Sequence, residues 1–172
     1  MELGPVCAGV GPRLAQRRVR DRCQRLVRLD LRVILAGRRI NDNMGIHIAN
    51  SVIKLMAQKE LPINKADILI LGITFKENCP DIRNSKVVDV IRELQSFGTC
   101  IDIYDPEADP HEVKAEYDLS LIDYPKKKYH AIVLAVGHHA FKNLKWEPIK
   151  YEKTVVYDVK GILEKSQITS RL

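Results

Sequence analysis

The chain has 172 residues, 45% of them apolar and 29% charged, and a formal net charge of +6. These proportions suit one globular domain with an added segment. They exclude a disordered chain, and no apolar run approaches the ~20 residues that a helix needs to span a bilayer.

The charge is uneven. Residues 1–32 hold eight arginines and only Glu2, Asp21 and Asp30 as acids, a net +5 that leaves +1 for the rest. An Arg-rich arm can bind nucleic acid or an acidic membrane surface, and it also resembles a mitochondrial presequence without the serines. Nothing downstream continues the nucleic-acid theme, so the expectation is a poorly ordered leader over 1–32, with neither nucleic acid nor membrane as partner. The N-terminus lacks the apolar core of a signal peptide, which points to a cytoplasmic protein. The four cysteines, Cys7, Cys23, Cys79 and Cys100, form no CxxC pair, and no histidine stands at metal-ligand spacing from them. Reduced thiols and no metal site are expected.

From Asn41 the pattern is helical. Asn41 or Asp42 can cap the start, and Met44, Ile48, Val52, Leu55 and Met56 recur at helical spacing, widened by Ile46, Ala49 and Ile53. The helix should stop near Lys59, ahead of Pro62. So broad an apolar stripe suits a helix that connects domains, and equally an ordinary core helix. Ala66 to Phe75, "ADILILGITF", is β-branched and almost continuously apolar, as a strand covered on both faces should be. The helix "KVVDVIRELQSFG" follows, with Ser85 or Asn84 as cap and Gly98 as the left-handed residue after its end. "CIDIYDP" is a second strand halted by Pro106, and residues 107–128 hold a short helix and a loop. Tyr129 to His138 is a third strand. A short helix is expected before Pro148, and "KTVVYDVKGIL" is a fourth strand ending near Lys160-Gly161. Strands alternating with helices imply an α/β protein, a Rossmann-like doubly wound parallel sheet preceded by a long helix.

In such a sheet ligands bind at the carboxyl ends of the strands, where the strand order reverses. Three ends carry polar groups: Phe75, Lys76 and the loop to Arg83; Gly137, His138 and His139; Asp158, Lys160 and Gly161. Lys76 and Lys160 lack a carboxylate partner at helical spacing, and Arg83 sits about one turn before a helix N-terminus that favours anions. Such cations suit a diphosphate, because arginine forks match phosphate oxygens and lysine acts as a point charge. Phe75 can stack on a base. Solvated loop charges paired with Glu77 and Asp81 are the bland alternative. His138 and His139 have no nucleophile placed with them and read as loop residues. Cys79 reads as a spectator. The fingerprint G-x-G-x-x-G is missing: "GVGPRL" at Gly9 follows no strand and has Leu14 in the third glycine position. The main site of any dinucleotide is expected outside this chain.

In order, "GRRINDNMG", "ILGITFKENCPDIRNSK", "IDIYDP" and "YDVKGIL" resemble the C-terminal part of the UDP-glucose/GDP-mannose dehydrogenase family, over about Val33 to Leu163. The wording is nearest the bacterial UDP-N-acetylhexosamine 6-dehydrogenases of capsule, O-antigen and Vi-type polysaccharide pathways. The resemblance implies 33–62 as the end of a central, dimerising helix and 63–172 as a UDP-sugar-binding Rossmann-like domain of a homodimeric enzyme. Such enzymes oxidise the sugar C6 alcohol to a carboxylate with two NAD, through a cysteine-bound thiohemiacetal and thioester. Phe75 and Lys76 match the family's "FK" pair at the sugar nucleotide, Lys160 stands where relatives carry a basic residue at the substrate, and Arg83 matches the arginine that reaches NAD. The NAD domain has no counterpart here. "VCAGVGP" at Val6 echoes the catalytic-cysteine motif without its preceding histidine and glycines, and Gly11 replaces its aspartate, so Cys7 is not assigned as nucleophile and no catalytic residue is named. The expectation is the nucleotide-sugar-binding portion of an NAD-dependent UDP-sugar 6-dehydrogenase, inactive alone. The other reading is a free-standing, non-catalytic nucleotide-binding module.

Overall fold

The computed structural model describes residues 43–172. The expectations for the Arg-rich leader, Cys7, the caps Asn41 and Asp42, and residues 33–42 lie outside the described residues.

Helix α1 runs over residues 43–58. Its end is a Schellman turn: Glu60 takes the left-handed conformation (φ 58°), its N–H reaches the Ala57 carbonyl at 3.0 Å, and the Leu61 N–H reaches Met56 at 3.0 Å. The remaining elements are β1 (Asp67–Leu71), α2 (Val87–Ser96), β2 (Cys100–Tyr104), α3 (Pro110–Tyr117), β3 (Tyr129–Leu134), two 3-10 turns (His139–Asn143 and Glu147–Ile149), β4 (Lys150–Asp158) and β5 (Ser170–Arg171). The five strands form one parallel sheet in the order β2-β1-β3-β4-β5. The Rossmann-like α/β class expected from the sequence is therefore what the chain adopts.

The near-continuous apolar runs follow from burial on both faces. In β1, Ile68 and Ile70 point into one core while Leu69 and Leu71 point into the other, and Ala131 and Val133 alternate with Ile132 and Leu134 in the same way. The first core is closed by Ile48, Val52 and Met56 of α1, by Val88, Ile91 and Leu94 of α2, and by Val113 of α3. The second is closed by Phe141, Leu144, Trp146 and Ile149 of the 3-10 turns, with Leu163. Helix α1 lies tightly on α2. A Cβ on Gly45 would stand 2.8 Å from the Asp89 Cβ.

Several boundaries differ from the sequence-based expectation. β1 ends at Leu71 rather than Phe75, because Gly72 turns the chain at φ 89°. β3 ends at Leu134 rather than His138. The short helix expected before Pro148 is a pair of 3-10 turns, and Pro148 falls within the second. β4 starts at Lys150, with a register shift opposite Tyr129–Ala131 that lets residues 151–154 bulge, and β5 was not expected at all. Neither Ser85 nor Asn84 is the N-cap of α2. Lys86 holds that place without a side-chain cap, although the Ser85 hydroxyl accepts a long bond from Val87 N–H at 3.4 Å. Gly98 behaves as expected, left-handed at φ 76° after the helix end.

Candidate functional site

Strand β1 leads leftward to β2 and β3 rightward to β4, so the order reverses between β1 and β3. In a parallel sheet this opens a crevice beyond the strand ends. Two buried carboxylates shape the loops around it.

Asp105, directly after β2, is the first. Its Oδ2 accepts the N–H groups of Ile73 (2.6 Å) and Thr74 (3.1 Å), and its Oδ1 those of Glu107 (2.9 Å) and Ala108 (3.2 Å). His138 Nε2 lies 3.2 Å from Oδ2, and both side chains are fully buried. Burial works to raise the Asp105 pKa, but hydrogen bonds from His138 and these N–H groups prevail and hold it below the usual carboxylate value. Asp158, at the end of β4, is the second. It accepts the N–H groups of Lys160 (3.0 Å), Gly161 (2.8 Å) and Leu163 (2.8 Å), which wraps the following loop around its carboxylate. Gly161 makes the bend at φ 69°.

These brackets bring three loops together. Lys160 Nζ reaches Glu77 Oε1 at 2.9 Å. The hydrogen bond from Lys160 is the main cause that lowers the Glu77 pKa. Gly137 fits between them: a Cβ there would stand 3.3 Å from Ile162 Cδ1 and 3.5 Å from Glu77 Cγ. Phe75 is half exposed, with Lys76 Nζ 5.5 Å from its ring centroid. The loop closes through Phe75 N–H on the Asp81 carbonyl at 2.7 Å. Lys160 thus reaches the residue that follows Lys76, and both ammonium groups belong to loops that meet at Glu77.

Arg83 pairs within its own loop. Its Nε and Nη2 donate to the two oxygens of Asp81, each at 2.9 Å, and its backbone N–H donates to Oδ1 at 3.0 Å. This fork holds the Asp81 carboxyl at about 2. Arg83 lines a groove of about 1000 Å³ between this loop and α3, whose other walls carry Cys79, Glu107, Asp109, Glu112 and Glu116. The bland expectation, that Arg83 pairs with Asp81, describes its contact. For Lys76 and Lys160 the partners are an aromatic ring and Glu77.

The histidine pair divides. His139 is exposed and His138 is wholly buried. Sequence reasoning named Asp158 as a strand-end residue but missed Asp105, whose signal was a carboxylate directly after an apolar strand and before a proline, a common turn-former. Among the described residues there is no group of three His, Cys, Asp or Glu side chains that could hold a metal. Nor is any helix there long and apolar enough to cross a membrane. The β1–α2 connection has no glycine-rich turn against the helix, and it carries Glu77 and Asp81 beside its cations.

Comparison with known proteins gives a consistent picture. Residues 69–165 match the UDP binding domain of the UDP-glucose/GDP-mannose dehydrogenase family. A UDP-N-acetyl-D-glucosamine 6-dehydrogenase from Salmonella typhi is 44% identical over 144 residues, 81% of this chain and 34% of that protein. One from Pseudomonas aeruginosa is 39% identical over the same lengths. Among solved structures, an NDP-N-acetyl-D-galactosaminuronic acid dehydrogenase from Methanosarcina mazei Go1 shares the fold with a TM-score of 0.67 at 20% identity, over 77% of this chain and 28% of that one. The chain spans about a third of the length of the curated relatives it matches.

Proposed function

Because the chain belongs to the UDP-glucose/GDP-mannose dehydrogenase family, we propose that residues 63–172 hold the nucleotide end of a UDP-sugar for an NAD-dependent 6-dehydrogenase. The substrate class is UDP-N-acetylhexosamine, on the strength of the Salmonella and Pseudomonas relatives, with UDP-glucose as the nearest neighbour in chemistry. In the whole enzyme the sugar C6 alcohol becomes a carboxylate, in a soluble, cytoplasmic homodimer joined through the central helix that ends in residues 33–62.

The observation that carries this reading is the meeting of the Phe75–Glu77 loop with Lys160 at the carboxyl edge of the sheet. Phe75 offers a half-exposed ring to the uracil or ribose. Lys76 and Lys160 supply two positive charges for the diphosphate, and the Asp158 turn sets where the second one starts. The task of this domain is to bind and orient. Two anchored phosphates convert an encounter with the reacting centre into a fixed geometry. Arg83 faces a different groove and is assigned to the cofactor, which it reaches after leaving Asp81. No step of the oxidation is assigned to the described residues.

Titration calorimetry of the full chain with UDP tests the reading. The expected result is measurable binding that weakens about tenfold in Lys76→Ala and in Lys160→Ala, the loss typical of one charge-assisted hydrogen bond. Equal heats in wild type and the double variant overturn it. With UDP-N-acetylglucosamine and NAD, the chain alone is expected to give no NADH.

A further inference from the structure

The most tightly built feature left unassigned is the fully buried imidazole of His138. Its Nδ1 accepts the backbone N–H of Asn78 at 2.9 Å. That bond needs the lone pair on Nδ1, so the ring proton sits on Nε2. Nε2 then faces Asp105 Oδ2 at 3.2 Å and Thr74 Oγ1 at 3.0 Å. The Thr74 hydroxyl in turn donates to the Lys76 carbonyl at 3.0 Å, which leaves its oxygen able to share the single Nε2–H with Asp105 Oδ2. Beyond the ring, Asn78 Oδ1 accepts the His139 N–H at 3.0 Å. The ring plane is fixed from outside the loop by Phe141, edge-on at 5.3 Å between centroids.

The consequence is geometric. Phe75, Lys76 and Glu77 form a three-residue span whose two ends, Thr74 and Asn78, are tied to opposite nitrogens of one ring. That ring belongs to the loop after β3 and is itself anchored to the turn after β2. On the nucleotide reading above, on which this inference rests, we infer that His138 is a positioning residue. It holds the Phe75–Lys76 tip at the spacing a nucleoside diphosphate requires, and it touches no substrate atom itself.

The test uses the full chain and two variants that divide the ring's functions. His138→Asn places an amide oxygen near the position of Nδ1 and keeps an acceptor for Asn78 N–H. His138→Gln places an amide N–H near Nε2 and keeps the donor to Asp105, but leaves Asn78 N–H without a partner. Hydrogen exchange is read at Asn78 and, as internal control, at Ile132 and Val133 in β3, together with UDP affinity by calorimetry. In His138→Gln the Asn78 amide is expected to exchange about tenfold faster with the β3 amides unchanged, and UDP to bind about tenfold more weakly, the scale of one buried donor left unmade. His138→Asn is expected to restore both to within about threefold.

Undiminished UDP affinity in His138→Gln overturns the inference while leaving the nucleotide reading intact. Equal loss of protection at Asn78 and in β3 also overturns it, since His138 then only supports the fold. A wild-type chain that takes up no UDP overturns the nucleotide reading instead, and with it any role of His138 in binding. If His138→Gln does not fold, Thr74→Val cuts the other end of the span at nearly constant volume: weaker UDP binding supports the inference and unchanged binding overturns it.

Discussion

Glu77 Oε1 stands 2.9 Å from Lys160 Nζ, so a carboxylate occupies the ammonium group assigned to the diphosphate. A nucleotide arriving at Lys160 must displace Glu77 or share the cation with it. Both side chains are partly exposed, and such ion pairs contribute little to stability, so the competition is modest. Glu77→Gln is expected to strengthen UDP binding about two- to fivefold, the equivalent of the ~0.2–1 kcal/mol of an exposed pair. Calorimetry at neutral pH and low salt reads it. Weaker binding instead means that Glu77 contacts the ligand.

Gly72 is the position where β1 must end. Its φ of 89° disfavours any side chain, and a Cβ there would lie 2.5 Å from the Val136 Cβ. Gly72→Ala therefore combines backbone strain with overpacking against a neighbouring loop, and is expected to cost about 2–4 kcal/mol in urea unfolding. Gly98→Ala is the comparison. Its φ of 76° is equally disfavoured, but its nearest obstacle is the Asn64 side-chain oxygen at 2.9 Å, which can swing away. About 1 kcal/mol is expected there. Equal costs at the two sites contradict the argument.

Much of this architecture was legible because its causes are local. β1 reads as a strand buried on both faces because consecutive residues Ile68 and Leu69 serve two different cores. Gly98 reads as a helix stop because a left-handed residue is nearly free only for glycine. The end of α1 was legible from Pro62, and the helix stops at residue 58, beside the expected Lys59, although its left-handed position is filled by Glu60, which carries no signal of its own. The bulge after Lys150 depends on Thr154, whose hydroxyl donates to the Tyr129 carbonyl at 2.7 Å across 25 residues, a partner that a local pattern cannot reveal. The candidate site divides in the same way. Lys76 and Lys160 stood out as cations after strands with no carboxylate at helical spacing, whereas the pairing of Lys160 with Glu77 joins two loops and is not local. Asp105 was not found, because its role lies in N–H groups 31 and 32 residues earlier.

Asp105 also gives the fold a defined acid limit. Its folded-state pKa is lowered, so it contributes stability that is complete above the unfolded value near 4 and is lost as pH falls through the lower folded value. Asp105→Asn replaces one acceptor oxygen by an N–H₂ that faces Ile73 and Thr74 N–H or their counterparts in the next turn. The expected cost is about 3 kcal/mol at pH 7, as for a buried charge network broken on one side. The difference between wild type and variant should shrink as the pH is taken below 4. Urea midpoints at pH 7, 5 and 3 measure it, and a difference that grows toward low pH contradicts the assignment.

The opposite side of the strands supplies a control that separates folding from binding. Near the strand starts, Lys127 Nζ bridges Asp67 and Asp102, the latter at 3.2 Å, and the Tyr129 hydroxyl donates to Asp102 at 2.8 Å. Burial first, then the neighbouring carboxylates, push the Tyr129 pKa well above its ordinary value, so the phenol stays protonated as a donor at any working pH. Tyr129→Phe removes that donor from a buried ring and is expected to cost about 1 kcal/mol of stability. It leaves the Glu77–Lys160 meeting point untouched, because among the described residues the ion pairs and hydrogen bond of this cluster stay near the strand starts. UDP affinity in Tyr129→Phe should therefore match wild type while the unfolding midpoint drops. A parallel loss of affinity would mean that nucleotide binding reports only how much of the chain is folded, and the effects expected at Lys76, Lys160 and His138 would then need to be corrected for stability before they said anything about the site.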